Sequence, residues 1–402
     1  MQTIAIIGTF DTKGAEFKYI KTLIEEQGFR TFCIHTGVFK PLFKPDVSNE
    51  EIAAAAGADI QEIVVRKDRA RATEVLARGL EILLPQLFDQ ERFSGVISVG
   101  GSGGTSLATP AMRALPVGVP KVMVSTMASG DVSPYVGTSD IIMIPSVVDA
   151  EGLNEISMRI FSNAANAIAG MVSRYREIPK SGRPLLAATM FGVTTPCVKA
   201  AKDYLEQQGY DVLVFHATGT GGRSMEALIE GGFIRGVLDL TTTEWCDELY
   251  GGVLNAGPHR LEAAGRKGIP QVVSVGAMDM VNFGPWESVP ERYKGRNLYR
   301  HNPTVTLMRT TEEENVGLGQ ILAEKLNMAK GKTALLLPLK GVSAIDTEGQ
   351  PFYGPKEDRA LFRTLRETIG SQVELVELDL HINDEAFALA AAQKLTDLLQ
   401  AP

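Results

Sequence analysis

Short apolar runs recur along the chain, at residues 3–7, 30–34, 95–99 and 185–190 among others, without alternation of polar and apolar positions. Between them lie stretches of helical periodicity such as 15–26 and 67–87. Continuous apolar strands belong to sheets covered on both faces, and strand-helix alternation implies parallel order. The pattern predicts an α/β fold of two tandem Rossmann-like domains with parallel sheets.

These domains are related by internal duplication. Glu25-Glu26-Gln27-Gly28-Phe29, leading to His35-Thr36-Gly37, returns as Glu206-Gln207-Gln208-Gly209-Tyr210, leading to His216-Ala217-Thr218-Gly219; the offset is constant at 181 (209 − 28 and 216 − 35). Gly95-Val96-Ile97-Ser98-Val99 likewise pairs with Gly236-Val237-Leu238-Asp239-Leu240, and Gly118-Val119-Pro120 with Gly268-Ile269-Pro270. A repeat this long means two copies of one domain, not a solenoid. The domains are expected at 1–178 and 185–402, with the charged, Pro- and Gly-bearing stretch 176–184 as linker. The second adds strand-helix units at 333–337 and 373–378, with helices from about Glu357 and Asp384. The first carries an extra segment, 38–68, suited equally to a lid, a partner surface or a plain surface excursion.

A length of 402 residues fits two or three domains, and 44% hydrophobic residues supply their cores. A formal charge of −8 argues against sequence-independent binding of nucleic acid, which rests on Lys and Arg neutralising phosphates. Cys33, Cys197 and Cys246 are odd in number and widely spaced, which predicts no disulfide framework and a reducing, cytoplasmic setting. The first residues run into an apolar strand with no basic leader, and no apolar run approaches the ~20 residues of a membrane span.

Candidate chemistry lies where strands end, since ligands of parallel α/β sheets sit beyond the carboxyl ends of the strands. Gly100, Gly101, Ser102, Gly103, Gly104 and Thr105 follow an apolar run and precede a helix expected over 107–115, the order of a phosphate-binding turn. Gly8, Thr9, Phe10, Asp11, Thr12 and Lys13, and then Ser125, Thr126, Ser129 and Gly130, leave the neighbouring strands. Asp11 is suited to Mg²⁺ on a phosphorylated ligand and Lys13 to its charge, although Asp11 and Thr12 serve equally well as an N-cap. Neither a Walker sequence nor a full dinucleotide fingerprint is present. Gly100-Gly101-Ser102-Gly103-Gly104 also spells a nucleophile elbow, with Asp131, Asp140, Asp149 and His216 following in hydrolase order, so a serine hydrolase using Ser102 is the lesser alternative. In the second domain the loop 239–252 replaces glycines by hydroxyls and carboxylates. Glu244 and Asp247 are its candidate acid/base residues, against an equal reading as acidic groups opening a helix.

Ile7-Gly8-Thr9 with Asp11-Thr12-Lys13, the block from Gly95 to Leu107, and the run from Leu115 through Ser125-Thr126-Met127-Ala128-Ser129-Gly130 to Asp140 resemble the ATP-binding family of the tomato inhibitor of tobamovirus RNA replication. The resemblance implies two Rossmann-like subdomains, ATP with Mg²⁺ held by the N-terminal one, and a homodimer. Antiviral function is not carried over, because it depends on a partner surface in the insertion region where members diverge. The combined expectation is an ATP-dependent enzyme acting on a small polar metabolite, of hydroxy or keto acid type, in an interdomain cleft. Its rival is a nucleotide-regulated binding module without turnover.

Overall fold

A computed structural model describes residues 2–65, 68–174 and 182–400. The chain divides into two units, Met1–Pro179 and Lys180–Pro402. Residues 175–181, which include most of the expected linker 176–184, and residues 66–67 at the expected start of a helix lie outside the described residues.

The first unit runs β1 (Thr3–Gly8), α1 (Gly14–Glu26), β2 (Arg30–His35), α2 (Asn49–Ala55), α3 (Ile60–Val65), α4 (Arg69–Asp89), β3 (Gly95–Gly100), α5 (Ser102–Ala114), β4 (Lys121–Ser125), α6 (Ser133–Val136), β5 (Ile142–Pro145) and α7 (Glu155–Ser173). Its sheet is parallel, in the order β2-β1-β3-β4-β5. The uninterrupted apolar runs are explained by what covers each face. Ile4 and Ile6 of β1 pack with Phe17 of α1 and Phe161 of α7, while Ala5 and Ile7 pack with Leu80 of α4 and Met112 of α5.

The second unit runs β6 (Leu185–Met190), α8 (Thr195–Gln207), β7 (Asp211–His216), α9 (Thr220–Glu230), β8 (Gly236–Thr241), α10 (Glu244–Tyr250), α11 (Ala263–Lys267), β9 (Gln271–Gly276), β10 (Met280–Phe283), β11 (Leu298–Asn302), β12 (Val305–Arg309), α12 (Glu312–Asn327), β13 (Thr333–Pro338), α13 (Pro355–Thr368), β14 (Val373–Leu378) and α14 (Glu385–Gln400). Its parallel sheet has the order β14-β13-β9-β8-β6-β7. Thus β7-β6-β8-β9 repeats β2-β1-β3-β4, and the register repeats with it. Ile4 faces Gly95 as Leu186 faces Gly236, and Val96 faces Lys121 as Val237 faces Gln271.

Two features depart from the sequence reading. The helix expected over 107–115 starts at Ser102, so Ser102, Gly103 and Gly104 form its first turn and are not a free loop. A three-stranded antiparallel sheet, β10-β12-β11, stands between β9 and α12 with no counterpart among the described residues of the first unit.

Candidate functional site

In the order 2-1-3-4-5 the chain reverses direction between β1 and β3, and ligands of such sheets bind at that switch point. A cavity of about 850 Å³ opens there, within the usual range for small-molecule sites. Its polar side is built from Gly8, Thr9, Asp11, Thr12 and Lys13 after β1, from Ser98 to Gly104 at the end of β3, and from Thr36 and Gly37 after β2. The opposite wall is apolar: Val38 and Phe39, Ile63 and Val64 of α3, Ala72 and Leu76 of α4, and Leu107 and Ala108 of α5. Asp68 and Thr73 add polar atoms on that side. The 38–68 insertion therefore supplies part of the wall.

The first rung of α5 is Thr105 N donating to Gly101 O at 2.9 Å. The amides of Ser102, Gly103 and Gly104 precede it, at the positive end of a 13-residue helix. A Cβ built on Gly103 meets nothing within 4 Å, whereas one on Gly100 would lie 2.8 Å from Gly104 Cα. Gly100 is thus required by strand-helix packing, and Gly103 leaves room for a ligand. Thr105 and Ser125 are buried and do not line the cavity; their hydroxyls are 2.6 Å apart, Thr105 Oγ1 also donates to Gly101 O, and Ser125 Oγ accepts from Met127 N. They brace the turn. Thr126, Ser129 and Gly130 likewise lie off the cavity lining.

The loop after β1 is held from several sides. Asp11 Oδ1 accepts from Thr12 N at 2.8 Å and Oδ2 from Phe39 N at 2.9 Å. That second bond ties the loop to the insertion and is not the N-cap expected of Asp11; the N-cap of α1 is Lys13. Phe10 is buried, stacked on Phe43 and His35. His35 Nδ1 accepts from Phe10 N, so its Nε2 carries the proton and donates to Phe39 O. Lys13 Nζ donates to Ala150 O at 2.6 Å, which satisfies one of its three hydrogens at the cavity edge.

Ser102 spells a nucleophile elbow without its geometry. An elbow holds the serine on a strained turn, yet the described non-glycine residues with positive φ are Glu91, Val147, Leu261 and Ala277. Of the carboxylates that would follow it, Asp131 accepts from Ser133 N, and Asp140 accepts from Gly118 N and pairs with Lys121.

Residues 2–177 match the N-terminal domain, and 183–399 the C-terminal domain, of a family described as "Uncharacterised protein family (UPF0261)". The chain belongs to the UPF0261 family. A UPF0261 protein of Clostridium tetani is 58% identical over 99% of both chains, and one of Rhizobium meliloti 48% over 99% of both. The tomato ToMV resistance protein Tm-1(GCR237) is 46% identical over 82% of this chain and 45% of its own length. The resemblance to the tomato family is borne out, and this chain spans about half of that plant protein. Among solved structures, a UDP-N-acetylglucosamine 2-epimerase from Rickettsia bellii aligns over 68% of this chain and 78% of its own at 8% identity, with a TM-score of 0.22, a likeness too slight to speak to fold or activity.

In the second unit of this UPF0261 chain, Glu244 and Asp247 open α10 as acidic first-turn residues. Their surroundings do not suit the acid/base role expected of them, because each is about 1% exposed and has both oxygens engaged. Glu244 Oε1 accepts from Gly219 N at 2.7 Å and Gly222 N at 3.1 Å, and Oε2 from Arg260 Nε at 2.6 Å. Asp247 accepts from Asn282 N at 2.6 Å and from Asn282 Nδ2 at 3.0 Å, pinning β10 to α10. Burial pushes its carboxyl up to about 7. Sequence reasoning missed Arg260, whose guanidinium is buried and forked onto Asp239 at 2.5 and 2.7 Å. No local motif marks it. The cysteines are all free and buried, and burial pushes Cys33 up to about 11 and Cys197 to about 12. No described helix is long and apolar enough to cross a membrane.

Proposed function

We propose that the first unit binds ATP, with the phosphates on the amides of Ser102, Gly103 and Gly104 and the nucleoside against the apolar wall. The observation that carries this reading is a single cavity with two chemistries, bare helix-entrance amides at one side and Ile63, Val64 and Leu76 at the other. Inorganic phosphate would leave the apolar wall unused. Magnesium fits the polar side to the extent of one carboxylate: each oxygen of Asp11 accepts one amide and keeps a lone pair, and Mg²⁺ on phosphates takes one or two carboxylates. The ion would screen the phosphates where Lys13 supplies one cation. With Glu244 and Asp247 buried, the reading favours nucleotide binding over an acid/base reaction on a small hydroxy or keto acid. A homodimer belongs to the same proposal, and sedimentation equilibrium checks it.

Scanning calorimetry of the full chain with Mg-ATP is the test. A ligand at 100 times its Kd adds about 2.7 kcal/mol to the state that binds it. Gly103→Val projects a branched side chain into open space and should abolish the shift while leaving the ligand-free transition in place. An equal shift in wild type and variant removes the α5 turn from the site.

A further inference from the structure

The shared register makes the strands of the two copies comparable position by position, so that Ser98 corresponds to Asp239, and beyond the strand ends Ser102 and Glu244 are the residues that open the following helices, α5 and α10. In the first unit both positions are small and both line the cavity. In the second both are carboxylates, joined through the buried guanidinium of Arg260. Glu244 reaches the amides of Gly219, the N-cap of α9, and of Gly222 in its first turn, directly after β7, just as the cavity-lining segment 36–39 follows β2. That turn is shaped around the carboxylate. A Cβ on Gly222 would lie 2.2 Å from Glu244 Oε2, and Gly219 has a φ of +81°. A carboxylate oxygen on two amides at a helix entrance, its partner oxygen on an arginine, is the bonding an anionic ligand would make.

Resting on the reading of the first cavity as an anion site, we propose that the second copy carries its anion built in: Glu244 fills from within the crevice that the first copy leaves open beside Ser102, Arg260 holds it there, and the chain takes up one anionic ligand, in the first unit alone. Duplication gave two crevices. Two substitutions to carboxylate and one arginine closed the second.

Two measurements on the full chain test this. Calorimetric titration of wild type with Mg-ATP should give one site per chain, and two sites would overturn the proposal. Glu244→Ala should lower the melting temperature of the second unit, read from Trp245 and Trp286 fluorescence. Sodium formate should then restore about half of the loss or more, relative to sodium chloride at equal ionic strength, because the vacated amides and Arg260 accept a small carboxylate from solution. Wild type should show no formate-specific gain. If Glu244→Ala does not accumulate folded, the same comparison is made on Glu244→Ser, which vacates the Gly219 and Gly222 amides and Arg260 while leaving a small polar side chain in place. A formate response no larger than wild type's, in whichever variant folds, overturns the proposal. Absence of any ATP binding, with formate rescue intact, would instead remove ATP as the first unit's ligand.

Discussion

At the scale of the residue, the glycines of the α5 turn separate into two kinds. Gly100 lies where a side chain would collide with the backbone of Gly104, which cannot move aside without distorting the helix entrance. Gly100→Ala should therefore cost on the order of 1–3 kcal/mol of stability, as overpacking does, seen as a lower urea midpoint. Gly103→Val should leave that midpoint within about 0.5 kcal/mol, as surface changes do, and act on the ligand alone. Ser102 is different again. If its hydroxyl adds one hydrogen bond to a phosphate, Ser102→Ala should weaken ATP by about 0.5–1.5 kcal/mol, roughly tenfold or less. Selective labelling of Ser102 by a fluorophosphonate would contradict this and restore the hydrolase reading.

At the scale of the element, the inserted helices separate nucleotide from bare phosphate. Ile63 of α3 is half-buried and faces the cavity, and it belongs to a segment for which the second unit has no counterpart. Ile63→Ser removes apolar contact worth about 1–2 kcal/mol. Calorimetric titration should show ATP weakened about tenfold and inorganic triphosphate unchanged; equal losses for both would place the nucleoside elsewhere. The insertion is anchored, not draped over the surface: Leu42 N donates to Phe10 O and Leu42 covers Gly14 at the start of α1. The β1 loop and the insertion are thus joined by a backbone hydrogen bond and a packed side chain. The antiparallel sheet β10-β12-β11 escaped the sequence reading because its strands are four or five residues long, and β11 has little buried surface to give it an apolar pattern.

At the scale of the molecule, buried carboxyls of the second unit set a pH dependence. Burial raises Asp247 and Asp279 to about 7 and Asp358 to about 8, with Asp346 adding repulsion to the last two. A carboxyl whose folded pKa exceeds its unfolded value of 3.8 holds its proton in the native state over the interval between. Their contribution to stability consequently falls as pH rises from about 4 to about 8. The urea midpoint reported by Trp245 and Trp286 should drop between pH 6 and 8.5, and a flat profile would contradict the cost of ionising these carboxyls where they are buried. Much of this molecule is legible in its sequence. The two parallel sheets, their duplication and the glycine turn follow from runs whose periodicity and order are local properties, written into neighbouring residues. The same is true of the strands at 333–337 and 373–378. What only the tertiary structure decided is which polar residues are spent on holding the fold. Glu244 and Asp247 read equally as acid/base groups or as acidic residues opening a helix until Arg260, Gly219 and Asn282 are brought onto them from 16 to 35 positions away. Asp11 reads equally as a Mg²⁺ ligand or as a helix cap until Phe39 is folded over it and the cap falls to Lys13. A side chain's chemistry depends on whether its lone pairs and charge are already matched, and those partners are assembled only by folding.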